Sequence, residues 1–241
     1  MGLAVKGHGE RRWRPQLTQE EKRVGWAFFV LYLFAFPFLV GGVVRILDER
    51  WNLLLTPAQS NAIYYGVILG LLVTVFWDFL RNSVRIWLDY ARENLFALCV
   101  GLAAGFALTV LAGAVPLGVD NPVRTDYKGQ FLLSPAATVA VVMFLRPMVE
   151  EILYRGLLFG SLRKRSRTAA YAVSAGVFAL ASVWQFAFPG GEARSLLLAV
   201  QYLPLGLAQC WCYDVGGSVF TPMALRVILS GVFLILALVA G

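Results

Sequence analysis

Apolar residues in this chain fall in long unbroken runs rather than at alternate positions. About 20 consecutive apolar residues cross the hydrocarbon core of a bilayer as one α-helix. The runs predict seven spans, at roughly 24–45, 62–80, 94–115, 134–162, 168–188, 196–212 and 218–240. The sixth is short and holds Pro204. A lipid-facing β-barrel would alternate in polarity over segments of about 10 residues, and no such pattern occurs. The expected fold class is therefore all-α, a polytopic transmembrane helical bundle of about seven spans. Segment 81–93 fits two descriptions. It is an amphipathic interfacial helix with Ile86, Trp87 and Tyr90 toward lipid and its arginines toward headgroups, or a simple extension of the next span. The pairs Gly66/Gly70, Gly101/Gly105 and Gly156/Gly160 have the small-xxx-small spacing that lets helices pack closely.

Composition sharpens this picture. The 241 residues are 59% hydrophobic and 15% charged, too apolar for a soluble domain. The net charge of +7 does not point to nucleic acid, because the basic residues sit in short connections instead of forming a stripe. The N-terminal arm 1–23 carries Lys6, Arg11, Arg12, Arg14, Lys22 and Arg23; 81–93 carries Arg81, Arg85 and Arg92; 163–167 reads Arg-Lys-Arg-Ser-Arg. Connections 46–61, 116–133 and 189–195 are closer to balance, so basic and non-basic loops alternate. That alternation places the N-terminus in the cytoplasm. The arm reads as a cytoplasmic lead-in rather than a cleaved signal, since the apolar run after it lacks a small-x-small cleavage site. Lys6 stands where myristoylation needs Ser or Thr. Cys99, Cys210 and Cys212 lie in apolar segments and are expected as buried free thiols.

The chemistry concentrates in the fourth span, at Met148-Val-Glu150-Glu151-Ile-Leu-Tyr154-Arg155-Gly156. A carboxylate within a bilayer is costly and is usually functional. Residues four apart share a helix face, so Glu151 should pair with Arg155, and Glu150 should stack with Tyr154 and Arg146. Pro147 removes a backbone hydrogen bond and should kink the span. A packing salt-bridge network is the bland alternative. Ser182 lies in a later span, where it is either part of a site or a helix-packing serine. Arg226 and Ser230 lie in the last span, and an unpaired guanidinium there would be expensive. At about 1.5 Å per residue, Glu150, Ser182 and Arg226 come about 18, 21 and 12 Å from the cytoplasmic ends of their spans. One polar site opening toward the cytoplasm is the economical reading.

Glu150-Glu151-x-x-x-Arg155 with trailing Gly156-Leu-Leu-Phe-Gly160 resembles the first motif of the CAAX-protease and bacteriocin-processing (CPBP, or Abi) family, which includes type II CAAX prenyl endopeptidases. The resemblance covers roughly 134–240. It implies a CPBP/Abi-like core at 134–241, which follows the basic arm at 1–23 and the three N-terminal spans that the apolar runs give within 24–133. The family's Phe-x-x-x-His motif aligns with Phe178-Ala-Leu-Ala-Ser182, so serine replaces histidine. Its His-x-x-x-Asn motif aligns with Arg226-Val-Ile-Leu-Ser230, so both residues are replaced. The only histidine in the chain is His8. By resemblance, Glu150 would be the general base that activates water, with Glu151 and Arg155 bracing it. Ser182 would take the water-polarising position, and Arg226 and Ser230 the oxyanion positions.

Serine cannot take up a proton near neutral pH as imidazole can. General acid–base catalysis is typically worth about 10²–10⁴-fold and an oxyanion donor about 10²–10³-fold. Arg226 could stabilise an oxyanion, or could pair with Glu150 or Glu151 and weaken the base. Members are often labelled metalloproteases, but two glutamates without histidine or a nearby thiol make a poor zinc site. No cofactor and no metal are expected. Three readings stand open: a CPBP-type protein that has lost proteolysis and binds or scaffolds a peptide or membrane protein; an active glutamate-dependent intramembrane endopeptidase; and a small transporter or scaffold with a buried Glu/Arg site. The expected location is a prokaryotic plasma membrane, multi-pass.

Overall fold

A computed structural model describes residues 16–119, 122–188 and 192–239, the side chains of 122–125 excepted. His8 and the arm residues Lys6, Arg11, Arg12 and Arg14 lie outside the described residues, as does part of the 116–133 and 189–195 connections. Every regular element described is helical, as expected.

The chain enters helix α1 (Gln19–Phe34) through a capping box, in which Thr18 accepts from the Glu21 N–H and Glu21 accepts from the Thr18 N–H. Glu21 is buried, and its other oxygen accepts from the Phe79 N–H at 2.8 Å. One carboxylate thus ties the start of α1 to the start of a distant helix. α1 turns at Ala35 into α2 (Phe36–Trp51), and α2 ends at Asn52 in the left-handed region, φ 49°. α3 (Pro57–Val75) opens on a second capping box, Thr56 with Gln59, with proline at the first position. Single-residue breaks at Phe76 and Tyr90 separate α3, α4 (Trp77–Asp89) and α5 (Ala91–Gly113). Segment 81–93 is thus mostly a helix of its own. Phe79 and Ser83 face inward, Trp87 and Tyr90 are exposed, and Ile86 is half-buried rather than fully lipid-facing.

After α6 (Pro122–Leu133) comes a helical stretch from Pro135 to Arg163 whose pitch widens twice. α7 (Pro135–Val139) leads into a π-helical turn (Ala140–Leu145), α8 (Arg146–Glu151), a second π-helical turn (Ile152–Phe159) and α9 (Gly160–Arg163). The wide pitch shows in the bonds: the Arg146 N–H reaches the Val141 carbonyl and the Gly160 N–H the Arg155 carbonyl, five residues back. The first wide turn sits directly before Pro147, where a tight turn would drive the proline ring into a carbonyl. The expected kink therefore takes the form of a π turn within continuous helix. Every side chain from Val149 to Phe159 is buried, which makes this stretch the centre of the fold. α10 (Arg167–Ala181), the short α11 (Trp184–Ala187), α12 (Ala199–Gly216, entered through a 3-10 turn, Ala193–Leu198) and α13 (Phe220–Val239) complete the bundle.

Four of these helices are long and apolar enough to cross a membrane: Pro57–Val75, Ala91–Gly113, Ala193–Gly216 and Phe220–Val239. The pair α1–α2, bent by 64°, makes a fifth if it is one span. That count does not confirm seven. The 134–162 expectation is helical throughout but carries Arg146, Glu150, Glu151 and Arg155. The 168–188 expectation is apolar but stops at Ala181.

Glycine spacing proved a partial guide. A Cβ at Gly101 would strike Cys212 and Leu225, one at Gly105 would press on Ala208 and Leu229, and one at Gly156 would meet Phe79. Nothing lies within 4 Å of such an atom at Gly66 or Gly70, so that pair makes no close helix contact. Cys210 and Cys212 are buried free thiols, but Cys99 lies on the outward side of α5 and is exposed, contrary to expectation.

Candidate functional site

The adjacent glutamates point into two different hydrogen-bond networks, because successive helical residues face different directions. Glu150 is held by arginines from two helices. Arg146 Nε, one turn earlier, donates to Oε1 at 2.6 Å, and Arg226 Nη2, from α13, donates to Oε2 at 3.3 Å. Arg146 also donates from Nη1 to the Tyr127 phenol of α6 at 2.7 Å. Glu151 faces α12. It pairs with Arg155 at 3.3 Å, and Gln209 Nε2 donates to its Oε1 at 2.6 Å. Gln209 Oε1 in turn accepts from Arg155 Nη2, which also reaches the Gly206 carbonyl at 3.2 Å.

The Phe178 ring of α10 lies between the networks. Its centre is 4.5 Å from the Arg155 guanidinium carbon and 5.1 Å from that of Arg226, within cation–π range of both. Tyr154 meets Phe178 and Phe29 edge-on, so α1 packs against the same cluster. The second π turn is held by a neighbouring helix: Ser174 Oγ donates to the Tyr154 carbonyl at 2.8 Å.

The two networks differ in access. Glu151 and Arg155 side chains are 0% exposed, whereas Arg146 and Arg226 are 17% and 11% exposed. Approach is therefore from the Glu150 side. Three guanidinium groups face two carboxylates, and Arg226 Nε, Arg155 Nε and Glu151 Oε2 are buried without a hydrogen-bond partner.

Both i,i+4 ion pairs expected from sequence are present, and Arg226 joins them through Glu150. Ser182 does not join. It is buried at the end of α10, and its hydroxyl donates to the Phe178 carbonyl of its own helix at 2.8 Å, as a helix-packing serine does. Ser230 lies one turn beyond Arg226, half-buried and without a hydrogen bond to the carboxylates among the described residues. Sequence reasoning missed Gln209 and Tyr127. A neutral amide in an apolar run carries little signal, and Tyr127 fell in a segment read as a connection.

The donor set does not fit the zinc ion that the family's common label implies. Glu150 and Glu151 are both paired with arginines, and no group of three His, Cys, Asp or Glu side chains converges among the described residues.

Comparison with known proteins agrees with the motif reading. Residues 132–232 match the family model described as Type II CAAX prenyl endopeptidase Rce1-like. That match begins just before the central helix and ends within α13, so it takes in Glu150, Glu151, Arg155, Phe178, Gln209 and Arg226. Through this segment the chain is similar to the CAAX-protease-like membrane proteins. It is an all-helical, multi-pass membrane protein. No curated protein and no solved structure matches it.

Proposed function

We propose that this chain is a CAAX-protease-like intramembrane protein that has lost proteolysis and binds or scaffolds a peptide or another membrane protein. One observation carries the reading: both oxygens of Glu150 are engaged by arginines, Arg146 on one and Arg226 on the other. A general base needs a carboxylate oxygen free to approach water and take its proton. Here each oxygen already accepts from a guanidinium N–H. The positions that carry imidazoles in the family hold Ser182 and Arg226, and Ser182 Oγ is bonded to its own helix. Glu151, Arg155 and Gln209 then serve to lock α8, the second π turn and α12 together. On this reading the N-terminal spans within 24–133 brace the core at 134–241, the bundle crosses a prokaryotic plasma membrane, and the N-terminus is cytoplasmic.

The test is peptide-library cleavage in proteoliposomes. Wild type is compared with Glu150→Gln and with the combined Ser182→His/Arg226→His/Ser230→Asn variant. Silence from wild type with cleavage by the combined variant is the expected result. Cleavage by wild type that Glu150→Gln abolishes would overturn the reading and make Arg226 an oxyanion donor.

A further inference from the structure

A cavity of about 80 Å³ opens at the far end of the central helix, away from Glu150 and past the second π turn. That is several times the roughly 10–15 Å³ one water needs. Lys22 of α1, Gly156, Gly160, Ser161, Lys164 and Tyr213 form much of its wall. Three features give it a definite chemistry.

The first is charge. Among the described residues, no carboxylate lines the cavity. Arg163 and Arg167, flanking Lys164, both bind Asp214, at 2.6 and 2.9 Å. Lys22 and Lys164 are in no ion pair among the described residues, so the two ammonium groups at the cavity are the ones left uncompensated. The second is an orphan donor: Ser161 Oγ is buried and has no hydrogen-bond partner. A hydroxyl so placed lacks the partner that buried polar groups normally have. The third is position. The cavity adjoins the basic loop 163–167, the part of a membrane protein that meets the anionic headgroup layer.

We infer that this cavity binds one phosphate-bearing anion, with Lys22 and Lys164 supplying charge, Ser161 a hydroxyl donor, and Gly160 leaving the room. Basic pockets between membrane helices at the cytoplasmic face hold anionic lipid headgroups on the same principle. Free phosphate offers the same chemistry and is the second source.

Gly160 allows a clean test. A Cβ there would lie 3.6 Å from the Arg155 carbonyl oxygen and 3.8 Å from the Tyr213 hydroxyl, ordinary contact distances. A side chain can therefore start at 160 without moving the backbone, and leucine is chosen to occupy the cavity that Gly160 lines. The full chain in detergent micelles is examined by native mass spectrometry with phosphatidylglycerol, phosphatidylcholine or inorganic phosphate. Wild type is expected to retain one phosphatidylglycerol in preference to phosphatidylcholine. Gly160→Leu should lose it. Lys22→Gln/Lys164→Gln should bind about twenty-fivefold more weakly, at about fivefold for each lysine near an anionic headgroup. If inorganic phosphate alone binds with the same dependence on these variants, the site stands and its source is free phosphate. Phosphatidylglycerol retention unchanged in both variants would overturn the proposal, as would failure of wild type to retain either phosphatidylglycerol or phosphate. Thermal midpoints of the two variants confirm folding, and each checks the other because one changes volume and the other charge.

Discussion

Replacing Gln209 by leucine isolates the interaction that holds α12 on the central helix. The side chains are of similar volume, so no cavity opens, but two bonds vanish: the one Gln209 donates to Glu151 and the one it accepts from Arg155. What is left is a strained-for-partners pair. Glu151 Oε2 already has no hydrogen bond, and the remaining Glu151–Arg155 contact is 3.3 Å. Hydrogen bonds to charged groups are worth about 1.5–3 kcal/mol in soluble proteins. Side-chain bonds within membranes average about 0.6 and reach about 1.7 kcal/mol, because the unfolded chain in lipid also finds partners. Two bonds at the upper membrane value give about 3 kcal/mol. Equilibrium unfolding in mixed detergent–SDS micelles measures this directly.

Removing one partner of a buried polar network leaves the others unpaired, whereas replacing all by apolar groups of similar size is often neutral. Glu151→Met/Arg155→Met/Gln209→Leu should therefore recover most of the stability that Gln209→Leu alone loses. A Gln209→Leu protein within about 0.5 kcal/mol of wild type would show that the bonds carry no net stability. A triple variant less stable than the single would refute the argument from unpaired charge.

Other contacts give their own expectations. Gly101→Val should destabilise by about 1–3 kcal/mol through overpacking against Cys212 and Leu225. Gly66→Ala and Gly70→Ala, which meet nothing within 4 Å, should instead gain up to about 1 kcal/mol each from helix propensity; the same micelle unfolding series reads both. Glu21→Ala removes a capping box and the bond to the Phe79 N–H, and should cost about 2–3 kcal/mol. Faster amide exchange at Phe79 would mark the loss at the start of α4.

Legibility from sequence followed the range of each interaction. Arg146–Glu150 and Glu151–Arg155 are local, and helical spacing alone placed both. The partner of Arg226 depends on the rotation of α13 against the central helix, so Glu150 and Glu151 were equivalent choices until the helices were packed. Gly66/Gly70 and Gly101/Gly105 have the same spacing but different surroundings: Cys212, Leu225, Ala208 and Leu229 stand against the second pair and nothing stands against the first. The π turns leave no periodic trace, because each widens the helix over a single short stretch. Pro147 marked the first as a disturbance but not as a change of pitch. The apolar runs identified the membrane class, while the count of seven spans stays unconfirmed where Arg146 to Arg155 interrupt the apolar run and where α10 stops short.

If proteolysis is lost as proposed, the arrangement around Phe178 decides whether it can be restored. Arg155 and Arg226 both lie over this ring, one bonded to the Glu151 network and one to Glu150. A cation over an aromatic face gains about 0.5–1 kcal/mol at exposed sites and more when desolvated. Arg226 is thus held by two weak supports, the ring and a 3.3 Å bond, while its Nε has no partner. Histidine at 226 would give up the guanidinium and release Glu150 Oε2, leaving Arg146 as the carboxylate's single cation. Phe178→Leu would weaken the hold on Arg226 without touching Glu150 itself. If the clamp is what silences the site, Phe178→Leu added to the Ser182→His/Ser230→Asn background should raise cleavage above that background alone. It should stay below the variant that also carries Arg226→His. Equal cleavage with and without Phe178→Leu would mean that the second arginine is not what restrains Glu150, and that the missing imidazoles alone account for the proposed loss.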